Sequence, residues 1–468
     1  MGNTDDIVID YTNMLESSIG AEHGITDKEI AEAAGKTGAV HTTLQGLRKS
    51  GKIGFFDLAS NDTAPLKKYA LRIRDKYENF VVLGIGGSAL GTSAIQSALN
   101  PSFYNLITRS KRGGFPRLFV ADNIDPDWFD EILRVADPKK TLFNVISKSG
   151  TTAETMSQFM VVFDLLNSKL KGKWKKRVVI TTDEKNGILR EIVDEFGLTA
   201  FNIPANVGGR FSVFTPVGLL PLACAGIDID SLLEGASRMA ERCSVASLHD
   251  NPAYLFGALH HIADVKKGKP LTVMMPYSTK LYSVADWFRQ LWAESLGKAN
   301  DLQGKTVNTG QTPIKALGVT DQHSQVQLYV EGPNDKMFVF MEIEKFAKEV
   351  AIPEVFEDKP PLKYLAGSTL NKLIKTEMEG TEYALTTHNR PSMTVKLPEL
   401  NADTLGQLMF MLEAATAYAG GLYGIDPFDQ PGVEFGKQYT YAMMGREGFE
   451  KLRSDIETKS GNVKRRTV

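Results

Sequence analysis

A predicted helix in the middle of the chain places a carboxylate among aromatic residues. Gln290 and Glu294 lie four positions apart in the segment RQLWAESLGK, so they share one helical face beside Trp292. Apolar surroundings favour the neutral form of a carboxyl group. They therefore raise its pKa toward the working range of a general base. Because most helical glutamates are simply solvated, this pattern alone leaves the catalytic interpretation open.

Three other segments carry side chains that handle charge and protons. Arg210 follows two glycines in NVGGRFS, His323 lies in DQHSQ, and Gln430 and Lys437 lie in FDQPGVEFGK. A guanidinium group can stabilise a developing anion, while histidine and lysine can exchange protons with a substrate. Taken singly, each is equally consistent with a surface salt bridge, a solvated imidazole or a polar loop.

The segment SKSGTTAET has the composition of a phosphate-binding loop. It follows an apolar strand and precedes a predicted helix, with hydroxyl groups at Ser147, Ser149, Thr151 and Thr152. The free N–H groups at a helix start attract anions. Four hydroxyls in six positions exceed what helix capping needs, and the Gly-Lys-Ser/Thr of a P-loop is missing. The pattern therefore favours a phosphate monoester over a nucleoside triphosphate.

A second glycine-rich turn, GIGGSALG, also connects an apolar strand to a helix. Gly86, Gly87 and Ser88 would let backbone N–H groups approach an anion closely. Ala89 replaces the third glycine of a dinucleotide-binding motif, and no acidic residue clearly ends the next strand. The motif is weak on its own, and a tight turn without a ligand stays open.

Strands and helices alternate in two stretches of the chain. Buried strands are predicted at 80–85, 117–122, 141–147 and 177–183, with helices between them, which is typical of a parallel sheet. The alternation restarts after about residue 268, with a helix over 282–298 and another over 404–419. Strands are predicted there at 271–276, 325–332 and 336–343, the last two as a hairpin or meander.

Composition restricts the class of protein. The 468 residues are 42% hydrophobic and 24% charged, which rules out wholesale disorder. Lys and Arg (54) nearly balance Asp and Glu (56), so no global field indicates nucleic acid or a membrane as partner. The N-terminus has no signal-peptide pattern, and two cysteines cannot form a disulfide framework. These features favour a soluble, cytoplasmic protein.

Together and in this order, the motifs resemble those of the phosphoglucose isomerase family. GIGGSALG and SKSGTTAET also occur in other sugar-isomerase (SIS) domains, whereas GGRFS, QLWAESLGK and FDQPGVEFGK are specific to this family. The resemblance implies interconversion of glucose 6-phosphate and fructose 6-phosphate, in glycolysis and gluconeogenesis. It implies ring opening followed by a cis-enediol intermediate, with neither a metal nor a redox cofactor.

The family's site residues can be carried over to matching positions. By resemblance, Glu294 is the base that moves a proton between C2 and C1, and Arg210 stabilises the enediolate. His323 and Lys437 correspond to the pair that opens the sugar ring. The phosphate cradle and sugar site would be formed by Ser147, Lys148, Ser149, Thr152, Gly87, Ser88, Gln290 and Gln430.

The resemblance also implies an architecture. We expect two SIS domains, each a mainly parallel sheet in a three-layer α/β/α arrangement, with helical arms at both ends of the chain. The expected boundaries are 1–50 for the N-terminal arm, 51–267 and 268–420 for the domains, and 421–468 for the C-terminal arm. A homodimer is implied, in which His323 enters the partner's site.

Some alternatives and departures stay open at this point. A non-catalytic SIS regulator would keep the phosphate loops without needing Arg210, Glu294, His323 and Lys437 together. A ketose-phosphate aminotransferase would carry an early nucleophilic cysteine, and a dehydrogenase a ribose-binding acid. Activity on mannose 6-phosphate is also compatible with the sequence. Leu296 replaces a family Asn after the base, and Gly150 replaces a bulky residue in the phosphate loop.

Overall fold

Two five-stranded sheets, each flanked by helices, organise the chain. The computed structural model describes residues 5–356, 358–461 and 466–468. All but one of the strand pairings within the two large sheets are parallel. The predicted fold class, two mainly parallel sheets with helices on their faces, is confirmed. The domain boundaries proposed from sequence stay a prediction.

The first sheet is fully parallel, with the strand order β3–β2–β4–β5–β6. Three of its strands, β2, β4 and β5, are buried along their whole length, which explains their unbroken apolar composition. The edge strand β6 is partly exposed and lacks such a run, so the sequence did not predict it. The bounds are β2 Asn79–Leu83, β3 Arg117–Ala121, β4 Thr141–Ile146, β5 Val178–Asp183 and β6 Thr199–Ile203.

The order of these strands opens a crevice at one edge. The chain places β3 on one side of β2 and β4 on the other, so the loops after β2 and β4 leave the carboxyl edge in opposite directions. Both candidate anion-binding loops lie at this point. The helices of this half are α3 Ala64–Arg74, α4 Leu90–Leu99, α5 Pro126–Val135, α6 Ala153–Leu170, α7 Ile188–Phe196, α8 Pro216–Cys224, α9 Ile229–Arg242 and α10 Pro252–Lys267.

The second sheet has the order β1–β12–β11–β7–β10, and only β1 runs antiparallel to its neighbour. Its strands are β1 Val8–Asp10, β7 Leu271–Pro276, β10 Thr312–Lys315, β11 Lys336–Lys345 and β12 Ser392–Glu399. A separate antiparallel pair consists of β8 Lys298–Asn300 and β9 Thr306–Thr309. The N-terminal arm predicted as helical therefore also contributes a strand. The helix α2 (Asp27–Lys49) in this arm begins with a capping box, in which the Thr26 hydroxyl accepts from the Glu29 N–H and the Glu29 carboxylate accepts from the Thr26 N–H.

The strand predicted at 325–332 is wrong. Residues Val326–Glu331 form a helix, α12, in which the Tyr329 hydroxyl donates to Gln325 one turn earlier, at 2.6 Å. The following strand, β11, pairs in parallel with both β7 and β12. A tight hairpin joins only antiparallel strands, so the chain needs a crossover here instead of a second strand. The apolar composition of the segment did not distinguish the two outcomes.

The helix α14 lies at the centre of the molecule. It packs against α2, α9, α10 and α11 and is buried over nearly its whole length, as expected for a helix that is apolar on all sides. None of the helices in the described residues is both long and apolar enough to span a bilayer. The remaining helices are α1 Glu16–Ile19, α2 Asp27–Lys49, α11 Tyr282–Leu296, α13 Leu370–Thr387, α14 Ala402–Tyr423, α15 Glu434–Met443 and α16 Glu450–Gly461.

Candidate active site

A cleft of about 830 Å³ opens at the carboxyl edge of the first sheet. The loops after β2, β4 and β5 form one wall, and α11 and the segment before α15 contribute the other. Of the twelve site residues predicted from sequence, eleven line this cleft: Gly87, Ser88, Ser147, Lys148, Ser149, Thr152, Arg210, Gln290, Glu294, Gln430 and Lys437. The structure thus brings together side chains that are up to 350 positions apart in the sequence.

The glycines after β2 permit a close contact between two turns of the backbone. A Cβ atom on Gly87 would lie 2.2 Å from the carbonyl oxygen of Gly209, and Gly86 has a positive φ of 57°. The 86–88 turn therefore packs directly on the turn that carries Arg210. Gly87 thus serves a loop-to-loop contact, a role that a dinucleotide-type motif does not require.

The loop after β4 presents hydroxyl groups in front of the N-terminus of α6. The hydroxyls of Ser147 and Thr152 are 3.0 Å apart, and the Ser149 hydroxyl accepts from the Thr151 N–H at 3.2 Å. Thr152 precedes the helix without making a side-chain capping bond to it. The first turn of an 18-residue helix thus faces the loop with N–H donors free to bind an anion.

Lys148 contributes to the loop differently from its serine neighbours. Its ammonium group donates to the carbonyl oxygens of Ala205 and Val207, at 2.5 and 3.0 Å. Burial lowers the pKa of Lys148, and the nearby Asp183 carboxylate partly offsets that effect. The side chain therefore ties the loop after β4 to the segment that leads into Arg210.

Arg210 is buried and held from several directions. Its Nε donates to the Ser295 hydroxyl at 2.7 Å, and its Nη2 to the carbonyls of Pro427 and Asp429 at 2.6 and 3.0 Å. Burial lowers the pKa of Arg210, with the neighbouring carboxylate of Glu294 acting in the opposite sense. A guanidinium group nonetheless stays charged in proteins, so the cleft contains a fixed positive group.

Glu294 faces that cation across the cleft. Its Oε1 lies 3.5 Å from Nη1 of Arg210, and its Oε2 accepts from Gln290 at 3.0 Å. The bond to Gln290 follows from the helical spacing of positions 290 and 294, and the contact with Arg210 follows from the packing of α11 against the turn Gly209–Phe211. The carboxylate is therefore oriented on both oxygens while about a quarter of the side chain stays accessible from the cleft.

The C-terminal segment closes one side of the cleft. The amide oxygen of Gln430 accepts from Nη1 of Arg210 at 3.1 Å. Lys437 lies in α15 at the rim, where its side chain is half exposed and its ammonium group pairs with Glu434 at 2.7 Å. The Lys437 side chain can thus reach a ligand in the cleft from its rim.

His323 is the one predicted site residue that the structure does not place in this cleft. It lies at the end of a short 3-10 turn, Thr320–His323, just before α12. Its side chain is exposed and belongs to the second sheet's half of the molecule. The role of His323 in this site stays a prediction.

Several residues near the chemistry were not singled out from sequence. Ser295 orients Arg210, and the last residue of β5, Asp183, also lines the cleft together with Asn186 and Gly187 from the loop that follows. Ligands bind outside the carboxyl ends of parallel strands. That rule would have pointed to the loop after β5 as a further part of the site. Gly150 has a φ of 66°, and a Cβ there would lie 2.4 Å from the Leu189 nitrogen, which accounts for the absence of a bulky residue.

Two mainly parallel sheets flanked by helices, with a cleft at the carboxyl edge of the first, define the class of α/β protein that the motifs indicated. A solved structure of a glucose-6-phosphate isomerase from Chlamydia trachomatis shares this fold, with a TM-score of 0.73 at 24% identity over 86% of this chain and 76% of that one. The model of the family "Phosphoglucose isomerase" matches residues 72–458. The chain belongs to the phosphoglucose isomerase family.

Two further proteins are similar to this chain over almost its whole length. The glucose-6-phosphate isomerase of Carboxydothermus hydrogenoformans is 47% identical over 96% of this chain and 97% of its own length. The crystal structure of a hypothetical protein from Thermus thermophilus superposes with a TM-score of 0.82, at 36% identity over 94% of this chain and all of that one. The family resemblance predicted from the motifs is confirmed.

Proposed function

We propose that this chain interconverts glucose 6-phosphate and fructose 6-phosphate in the cytoplasm, as a step of glycolysis and gluconeogenesis. The observation that carries the proposal is the pairing of Glu294 and Arg210, 3.5 Å apart, in a cleft that also contains the hydroxyl-rich loop after β4. Aldose–ketose exchange needs a base, a cation for an enediolate and an anchor for the phosphate. Family membership supports the same reaction.

In this mechanism the phosphate group binds first and fixes the substrate. Ser147, Ser149 and Thr152 donate hydroxyl hydrogens to its oxygens, and the N-terminus of α6 adds backbone donors. Ser88 and Gln430 border the rest of the sugar. Anchoring at the far end of the substrate leaves C1 and C2 near the Glu294 carboxylate.

Proton transfer then follows ring opening. Lys437 and a histidine move protons at the ring oxygen and the C1 hydroxyl, which yields the open-chain sugar. Glu294 takes the proton from C2 of the aldose and returns it to C1, through a cis-enediol intermediate. Arg210 stabilises the negative charge that develops on the oxygens during this step, since it is already held in place before substrate binds.

The exposed position of His323, outside the cleft of its own chain, supports a shared site in a C₂ homodimer. Co-refolding inactive His323→Ala with inactive Glu294→Gln subunits then gives heterodimers in which one site has both defects and the other has neither. We expect turnover well above either parent. A mixture as inactive as its parents, with heterodimers detected by native mass spectrometry, would rule the sharing out.

The direct test of the activity is a coupled assay on the purified protein. Fructose 6-phosphate is supplied, and formation of glucose 6-phosphate is read through an NADP-linked dehydrogenase. We expect rapid conversion, with mannose 6-phosphate tested in parallel as a competing substrate. Absence of glucose 6-phosphate formation by the folded protein would overturn the proposal.

A further inference from the structure

The side chain of Lys298 lies directly behind the Glu294–Arg210 pair. It begins β8, immediately after the last turn of α11, and only 5% of the side chain is exposed. Its ammonium group donates to the carbonyl oxygens of Glu294 and Ser295, at 2.9 and 2.8 Å. The last carbonyls of a helix have no intrahelical partner, and a cation there is stabilising.

The same ammonium group also reaches the segment on the other side of Arg210. Its Nζ lies 3.6 Å from a carboxylate oxygen of Asp429. Ser295 and Asp429 are both partners of the Arg210 guanidinium, one through its hydroxyl and the other through its carbonyl. Lys298 and Arg210 therefore contact the same two residues through different atoms.

The two cations are kept close together at a cost. Burial lowers the pKa of Lys298, and repulsion from Arg210 lowers it further, while Asp429 and Asp426 act in the opposite sense. A buried ammonium group beside another cation needs the two carbonyl oxygens and the carboxylate that surround Lys298. Lys298 does not line the cleft, so binding substrate does not account for its position.

We propose that Lys298 is a positioning residue for the isomerisation. By joining the end of α11 to the segment 427–430, it sets where the Glu294 carboxylate stands relative to the Arg210 guanidinium. The inference rests on the proposed function and deepens it. It assigns to Lys298, a residue outside the cleft, the control of the distance between the base Glu294 and the electrophile Arg210. Substrate affinity depends mainly on the phosphate loop, which Lys298 does not contact.

Lys298→Met tests this against Lys280→Met as a matched control. Lys280 also donates its ammonium hydrogens to two backbone carbonyls, of Ala98 and Asn100, and burial lowers its pKa as well, but it is not among the residues that line the cleft. We expect Lys298→Met to lower kcat by about 10- to 100-fold with KM within about threefold, since a misplaced base affects the transition state and spares ground-state binding. Lys280→Met should keep kcat within about twofold of wild type.

A binding measurement adds a readout that a loss of stability would not produce. A five-carbon aldonic acid phosphate mimics the enediolate through its carboxylate. Its inhibition constant should rise by about tenfold or more in Lys298→Met, while that of inorganic phosphate stays within about twofold. Equal changes for both inhibitors would contradict the proposal.

The outcomes are distinguishable. If the wild type isomerises its substrate and Lys298→Met has a kcat within threefold of Lys280→Met, the inference is overturned and the proposed function stands. If the wild type is inactive, both fall. If Lys298→Met does not fold, Asp429→Asn decides, because it removes the carboxylate charge that faces Lys298 at an accessible position. A kcat lowered about two- to fivefold at unchanged KM supports the inference, and an unchanged kcat overturns it.

Discussion

The guanidinium group of Arg210 is oriented by oxygens of α11 and of the 427–430 segment. The sequence identified Arg210 and Glu294 by their motifs, but it did not identify the partners that orient them. Ser295 and Asp429 are 85 and 219 positions away from Arg210 along the chain. Hydroxyl and carbonyl partners at such separations are brought together only by the fold, and their spacing leaves no recognisable pattern.

The phosphate loop gives a prediction at the same scale. Replacing Ser149 and Thr152 together by Ala should raise KM for fructose 6-phosphate about 10-fold or more, because each hydrogen bond to a charged group is worth roughly 1.5–3 kcal/mol. Inorganic phosphate should compete with substrate in the wild type and more weakly in the variant. Steady-state kinetics measure both quantities.

Ser157→Ala is the matched control for this loop. Ser157 lies in α6, the helix that follows the loop, but its hydroxyl donates to the Glu154 carbonyl at 2.9 Å and it does not line the cleft. Its KM and phosphate inhibition should match those of the wild type. Phosphate inhibition unchanged in the double variant would show that the loop is not the anion site.

At the scale of elements, prediction succeeded where a local pattern and the global topology agree. The strand at Leu271–Pro276 was predicted with its observed bounds, and β2, β3, β4 and β5 within two residues at either end. It failed for Val326–Glu331, where apolar composition suits a strand and only the parallel pairing of β7 with β11 demands a crossover. The contribution of β1 to the second sheet, with β12 as its partner, also has no local signal.

The contact between the glycine turn after β2 and the Arg210 turn can be tested by one substitution. Gly87→Ala would place a Cβ atom 2.2 Å from the Gly209 carbonyl and 2.8 Å from the Arg210 nitrogen, so one of the turns must move. We expect a stability loss of about 1–3 kcal/mol and a kcat lowered by about tenfold or more. Thermal unfolding and the coupled assay report the two effects.

A glycine-to-alanine substitution at a helical position with open space around it provides the comparison with Gly87→Ala. Gly38 lies within α2, and a Cβ atom there would meet nothing within 4 Å. Gly38→Ala should leave kcat unchanged and stabilise the protein by about 0.5–1 kcal/mol. If Gly87→Ala behaves like Gly38→Ala, the two turns are not in the close contact described above.

At the scale of the whole molecule, the central helix contains an acid that the sequence did not single out. Glu413 in α14 is fully buried, and neither carboxyl oxygen has a hydrogen-bond partner among the described residues. Burial raises the pKa of Glu413 well above its usual value. In the sequence, a single Glu in an apolar helix is typical of an exposed position. Only the packing of α14 on four other helices shows that Glu413 is enclosed.

This buried acid makes stability depend on pH in a defined direction. The folded chain keeps the proton at pH values where the unfolded chain releases it, so the unfolded state binds fewer protons and stability falls as pH rises above about 4.5. The slope from one such group is about 1.4 kcal/mol per pH unit, up to the folded-state pKa. The substitution Glu413→Met removes this pH-dependent contribution to stability.

Denaturant unfolding of the wild type and Glu413→Met at pH 5 and pH 8 measures this effect. The difference in unfolding free energy should favour Glu413→Met more strongly at pH 8 than at pH 5. Glu413→Gln, which has the same shape without a titrating proton, should follow the pH trend of Glu413→Met. A difference that stays constant between the two pH values would show that Glu413 does not bind its proton more tightly in the folded state.

The central claim is that Glu294 carries a proton between C1 and C2, and fructose 6-phosphate conversion in D₂O followed by proton NMR tests it most directly. With the wild type we expect glucose 6-phosphate that carries deuterium at C2, since a proton held on a carboxylate exchanges with solvent. Glu294→Gln should lower both conversion and deuterium incorporation by roughly 10²- to 10⁴-fold, the usual range for general-base catalysis, while inorganic phosphate still binds. Conversion by Glu294→Gln within about threefold of the wild type would contradict the account.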